Sequence, residues 1–253
     1  MLLVLAAVVA LATAVRSTWS PCGLSMLSSI TPISERAKGH RYYVTCGWFV
    51  AGAVLGGLTL GAGMAVLAAG VGTLDLTRVD SLLLAAVALL VAAASDAPSG
   101  FTLPFHRRQV NEDWLDEFRP WIYAGGFGWQ IGVGFATYIM TAGLYALVVV
   151  GALTRDPETA LALGAGFGLA RGLAVLVSRR VRTPAQLLEL HARFDRAAAP
   201  VRDAVVVVLI IAGALAAVAA WPPSAVLFLL VAAKPAFRIL RDQSAVGAQR
   251  QRA

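Results

Sequence analysis

Charge is what this sequence has least of. Only 14% of its 253 residues are Asp, Glu, Lys or Arg, where a soluble domain carries roughly 25%, so the chain cannot cover a water-facing surface. Its three histidines, His40, His106 and His191, have no acid or cysteine at metal-ligand spacing, which argues against a metal centre. A phosphate-cradling glycine loop with its lysine is missing, and so is a nucleophile elbow. A hydrolase or metalloenzyme is therefore not expected, nor any cofactor. The basic residues are not interleaved with aromatics, so a formal charge of +7 is not read as a nucleic-acid footprint.

Apolar sequence is what the chain has in quantity. Hydrophobic residues make up 58% and fall in long blocks. A bilayer core of ~30 Å needs ~20 helical residues. In lipid the backbone must satisfy itself, and a Leu/Ala/Val/Gly composition favours helices over a barrel. The expectation is an all-α polytopic membrane protein with about seven transmembrane helices, near residues 2–33, 44–70, 80–97, 121–153, 158–178, 203–220 and 222–236. Residues 1–240 then form one transmembrane domain and 241–253 a cytoplasmic tail.

The basic residues alternate between loops. Arg36, Lys38 and Arg41 follow the first span, Arg107, Arg108 and Arg119 the third, and Arg179, Arg180, Arg182, Arg193, Arg196 and Arg202 the fifth. Lys234, Arg238, Arg241, Arg250 and Arg252 fill the tail, and the opposite loops hold Arg78 and Arg155. This positive-inside pattern predicts a multi-pass protein of the cell (inner or plasma) membrane, N-terminus outside and C-terminus cytoplasmic. Residues 1–15 have the length of a signal h-region, and Ala12-Thr13-Ala14 resembles a cleavage site. With no Lys or Arg ahead of them, and half a span at stake, they are expected to be retained.

Two spans look interrupted. In the first, Arg16 is followed by a hydroxyl-rich stretch over 17–32 with Pro21 and Pro32, which predicts a broken or re-entrant helix. In the fourth, Gly125, Gly126, Gly128, Gly132 and Gly134 precede Thr137, Tyr138 and Thr141. Trp19 with Gly23 resembles Trp129 with Gly132, so spans one to three and four to six are read as an inverted 3+3 repeat with one extra helix. Paired interrupted spans point to a site near the membrane midplane, with Arg16, Trp19, Pro21, Trp129, Gln130, Thr137 and Arg171 as candidate pathway residues. Neither Arg16 nor Arg171 is expected to find an acid within the spans; an anionic substrate or a helix C-terminus would supply the counter-charge. Glycines four apart, such as Gly57 and Gly61 or Gly164, Gly168 and Gly172, predict close helix packing.

Two cytoplasmic loops read as helical. Residues 111–118 place Trp114, Leu115 and Phe118 on one face among acids, as an interfacial helix would. Thr183 and Pro184 read as N-cap and first position with Gln186 completing a capping box. The helix they open, to about Ala198, puts Leu187, Leu190 and Phe194 on one side.

Cys22 follows Pro21 at the first break, and Arg16 stands one to two turns earlier. A thiol placed there could face a cavity, and a nearby arginine favours the thiolate. Ser20-Pro21-Cys22-Gly23-Leu24, with the hydroxyl-rich stretch to Pro32, resembles the first span of the cytochrome-c-biogenesis and thiol–disulfide-interchange transmembrane family. That family is similar in helix plan to the lysine-exporter-type superfamily. The resemblance implies carriage of reducing equivalents across the membrane by cysteines in spans one and four, with thioredoxin-like partners. Span four has no cysteine here: its equivalent position is near Gly132, and the only other cysteine is Cys46. Three readings follow. One is a thiol-dependent carrier through Cys22, with Cys46 as the substitute second thiol. Another is a small-solute or ion transporter using the broken spans, and the third is a membrane assembly subunit.

Overall fold

The computed structural model describes residues 1–98 and 118–221, and among these every regular element is helical. Short cap-and-proline pairs begin many of the helices. Ser20 caps α2 (Pro21–Ser29) by accepting from the Gly23 amide at 3.2 Å. Thr31 and Ser34 form a reciprocal capping box on α3 (Pro32–Ala37). Proline at the first helical position gives up an N–H that would have no intrahelical partner, while the hydroxyl satisfies a neighbouring one. Asp156 before α8 (Pro157–Leu173) and Thr183 before α9 (Pro184–Ala220) repeat the device.

The remaining helices are α1 (Leu2–Ser17), α4 (Tyr42–Gly72), α5 (Arg78–Asp96), α6 (Pro120–Val133) and α7 (Gly143–Leu153), and a 3₁₀ segment, Ala174–Arg180, continues α8. Four helices are long and apolar enough to cross a membrane: α4, α5, α8 with its 3₁₀ extension, and α9. The pair α1 and α2, bent by 66°, makes a fifth. The protein is thus a multi-pass helical membrane protein. The expected span at 222–236, the loop helix at 111–117 and the tail lie outside the described residues.

Helix α4 is the centre of the bundle, packed against α6 on one side and α8 on the other. Glycine makes this contact possible. A Cβ on Gly57 would lie 2.3 Å from the Gly164 carbonyl oxygen, and one on Gly132 would lie 2.0 Å from that of Ala53. The expected close packing of small residues is therefore present as backbone-to-backbone contact. A second layer pairs α5 with α9.

Helix α9 departs from the sequence reading. Instead of ending near Ala198 it runs unbroken for 37 residues with Pro200 inside. Proline deprives the Arg196 carbonyl of its partner, but the turns on either side carry the helix through. At 1.5 Å per residue it is about 55 Å long, nearly twice a hydrocarbon core, so its Arg-rich first half projects beyond the apolar layer. Gln186 also differs in detail, since its side chain accepts from the Arg182 amide at 2.7 Å while Thr183 accepts from Gln186 at 3.3 Å.

Candidate functional site

The site forms where two helices stop inside the bundle. After Ser17 the amides of Thr18, Trp19 and Ser20 bond back to Val15, Arg16 and Ser17, making a tight turn from which α2 departs. A Cβ on Gly23 would sit 2.2 Å from the Thr18 carbonyl oxygen, so glycine is what lets α2 fold over the turn. The second interruption follows Val133. Gly134 adopts φ +75°, a left-handed conformation that glycine takes without strain, and the chain stays non-helical until Gly143. Thr137, fully buried, donates to the Gly134 carbonyl at 3.3 Å.

Arg171 joins the two interruptions. Its guanidinium, buried in α8, donates to the Ile131 carbonyl in the last turn of α6 at 2.6 Å and to the Ser17 carbonyl at the end of α1 at 3.2 Å. Both acceptors belong to the negative ends of helix dipoles, where a cation is favoured. The planar fork can reach two carbonyls at once. Of the two counter-charges expected for it, the helix C-terminus is the one the geometry supplies. Cys22 stands at the second position of α2.

The helices able to span do hold acids, Asp96 and Asp203 among them, and no ion pair within 4 Å joins either to Arg16. Asp96 is the last residue of α5, and Asp203 lies in α9. Both acids are near the ends of their spans, as Arg16 is near the end of α1, and the fold brings those ends to one depth. Asp96 also organises α7: it accepts from the Ala142 amide at 2.8 Å and from the Thr141 hydroxyl. Asp203 is held by Arg202 at 2.9 Å. The Thr13 and Thr141 hydroxyls pack against Gly143, where an added Cβ would meet them at 2.6 and 3.1 Å. Arg16 Nη1 and Thr13 Oγ1 are buried without a hydrogen-bond partner, as is Ser95 Oγ beside Asp96.

This network gives a first prediction. Asp96→Asn is expected to lower stability by about 1–3 kcal/mol, because α7 loses its charged cap and the buried Arg16 the negative charge of one nearby acid. Arg16→Met in the same protein should recover part of the loss, since no charge is then left unpaired. Unfolding in detergent, followed by maleimide labelling of the two buried thiols, measures the cycle. Additive losses would separate Asp96 from Arg16.

The remaining predicted residues occupy varied places. Trp19 sits in the first break, donates from Nε1 to the Phe194 carbonyl at 2.8 Å and lies 4.9 Å from the Phe194 ring, so it ties α1 to α9. Ser28 and His191 bond at 2.9 Å across the same seam. Trp129 is exposed and donates to Thr59 at 3.1 Å. It stands inside α6, whereas Trp19 stands in the break, so the two tryptophans are not at equivalent places. Gln130 is half-buried on α6. Pro21 is the first residue of α2. Cys22 and Cys46 are buried in one apolar cluster with Met26, Phe49 and Phe127, and no disulfide joins them.

Sequence reasoning missed Glu35. Its carboxylate is fully buried and accepts from Thr45 at 2.5 Å and from Tyr123 at 2.8 Å, with His40 Nδ1 at 3.7 Å. It thereby fastens α3 to α4 and α6. Its position among Arg36 and Lys38 gave no sign of burial.

The fold and site thus define a class: a multi-pass helical membrane protein with two interrupted helices clamped by one buried arginine. The chain is similar to methylamine utilization proteins MauF. It is 30% identical to that of Paracoccus denitrificans over 175 residues, 67% of this chain and 61% of the relative. It is 31% identical to that of Paracoccus versutus over 164 residues, 64% of this chain and 60% of the relative, and 30% identical to that of Methylobacillus flagellatus over 177 residues, 68% and 61%. The chain spans about three-fifths of the length of these relatives. No family profile matches it, and no solved structure does.

These relatives overturn the resemblance to the cytochrome-c-biogenesis and thiol–disulfide-interchange family: the similar proteins are methylamine utilization proteins. The structure supplies a local reason for the motif. Ser20 is a cap, Pro21 a first helical residue and Gly23 a close contact, so Ser20-Pro21-Cys22-Gly23 is what starting a helix at a bend requires.

Proposed function

We propose that this protein is a membrane-embedded accessory component of amine utilisation, working through the buried polar groups beside its two interrupted helices. The observation that carries the reading is the set of buried, unpartnered groups there, Arg16 Nη1, Thr13 Oγ1 and Ser95 Oγ. A buried donor without a partner costs about 1–3 kcal/mol, so such a set is suited to receive a small polar solute bearing a hydrogen-bond acceptor. The relatives' name supports amine utilisation as the setting.

The helix contacts support an inverted repeat beneath these groups. Exchanging spans one to three with four to six maps α4–α8 and α5–α9 onto themselves. It maps α1–α8 onto α4–α6, and α1–α9 onto α5–α7. Arg171 then sits near the pseudo-twofold, on the end of one interrupted helix from each half. With the positive-inside orientation, N-terminus outside, the buried polar groups lie toward the cytoplasmic ends of α1 and α5.

A second reading, thiol chemistry at Cys22, is favoured by its place beside the first break and the shared cluster with Cys46. One experiment separates the two. A Paracoccus denitrificans strain lacking its MauF is complemented with this chain and grown on methylamine. Growth is expected with the wild type and with Cys22→Ser, and at least tenfold slower growth with Arg16→Met at equal membrane abundance. Failure of Cys22→Ser with normal growth of Arg16→Met would replace the polar-group reading with the thiol one. No growth with the wild type would remove the amine-utilisation setting.

A further inference from the structure

We infer that the groove between the 3₁₀ segment Ala174–Arg180 and the first half of α9 is a binding site for an anionic phospholipid. The groove has a volume of about 820 Å³. Leu176, Leu190 and Phe194 form its apolar wall, and Arg179, Arg180 and Arg193 stand at its rim. Glu189, also lining it, is bound by Arg193. That leaves Arg179 and Arg180 as the uncompensated charges: both are exposed, and among the described residues neither has an acid to pair with.

The location fits a lipid better than a free anion. Arg179 and Arg180 end a helix able to cross the membrane. The residues one to two turns earlier, Leu173 and Val177, line the groove and are 45% and 48% exposed. On the other side, the Arg-rich half of α9 lies beyond its apolar stretch. The groove therefore straddles the boundary between hydrocarbon and headgroups. A ligand with a phosphate at one end and an acyl chain at the other satisfies both parts, the phosphate on the two guanidinium groups and the chain on Leu173 and Val177. Basic pockets at such boundaries are suited to anionic headgroups, and a guanidinium fork matches phosphate oxygens. The Trp19–Phe194 contact sits at the same groove, so an occupied site would brace α9 against the first break.

The test uses the purified full chain in detergent, with bound lipid counted by native mass spectrometry during titration with phosphatidylglycerol or phosphatidylcholine. The wild type is expected to prefer phosphatidylglycerol by about tenfold. Arg179→Gln with Arg180→Gln should abolish the preference. Arg182→Gln with Arg196→Gln removes the same charge outside the groove and should retain it. Equal binding of the two lipids by the wild type, or equal loss in both double variants, would overturn the proposal. So would complete displacement by millimolar inorganic phosphate, which would mark a free-anion site. Thiol-labelling melts with phosphatidylglycerol give a second readout: the midpoint should rise for the wild type and for the control pair, and stay fixed for the groove pair.

Discussion

Arg171→Leu is expected to lower the stability of the folded bundle by about 2–4 kcal/mol. The sign needs deciding, because an arginine at membrane depth is itself costly, by about 2.5–3.5 kcal/mol on insertion scales. That cost arises when the helix enters the membrane. It is already present in the state where inserted helices have not yet packed, which is the reference for unfolding. What packing adds is the pair of hydrogen bonds to Ile131 and Ser17. Leucine removes one charge-assisted bond from each carbonyl, which keeps its backbone amide (Gly134 on Ile131, Ser20 on Ser17), and losing the two bonds together costs about 2–4 kcal/mol. Arg171→Lys keeps the charge at the helix ends but loses the fork, so it should fall between, at about 1–2 kcal/mol. Detergent unfolding read by maleimide capture of Cys22 and Cys46 orders the three proteins. The Cys22 site should open first in Arg171→Leu, since it adjoins the released turn. A leucine variant as stable as the wild type, with unchanged labelling of Cys22, would show that the clamp holds nothing.

Gly57→Ala is expected to be strongly damaging, as at the other glycines whose Cβ would meet a neighbouring backbone. Its Cβ would come within 2.3 Å of the Gly164 carbonyl oxygen and 2.9 Å of Gly168 backbone atoms. Overpacking that side chains can absorb costs about 1–3 kcal/mol. Here the neighbour is backbone, and α4 and α8 can make room only by separating, so a loss above about 3 kcal/mol is expected. Gly63→Ala is the control on the same helix. Nothing lies within 4 Å of its added Cβ, and alanine is the better helix former by about 0.8–1.0 kcal/mol, so it should be neutral or slightly stabilising. Equal behaviour of the two variants in the thiol-labelling melt would remove the close α4–α8 contact from the account.

Several features were legible in the residues because they are local. A block of Leu, Ala, Val and Gly with almost no charge can satisfy its backbone in lipid only as a helix. Pro21, Pro32 and the glycines before Thr137 mark where helices cannot continue. Caps such as Ser20 and Thr183 are read within four residues. Pro200 shows the limit of local rules, since a proline that reads as a stop is carried by the turns around it.

The sequence by itself determined that this is a membrane-spanning helical protein with two interrupted helices, because hydrophobic length, proline and glycine act on the residues beside them. Only the tertiary structure decided what meets at the interruptions. Arg171 takes carbonyls 40 and 154 residues away, and Asp96 of α5 takes the Ala142 amide and Thr141 hydroxyl at the start of α7. Glu35 disappears from solvent beneath Thr45 and Tyr123. None of these pairings has a spacing along the chain. The first and last of them depend on glycine faces that let α4, α6 and α8 close to backbone contact, which brings residues far apart in the chain together.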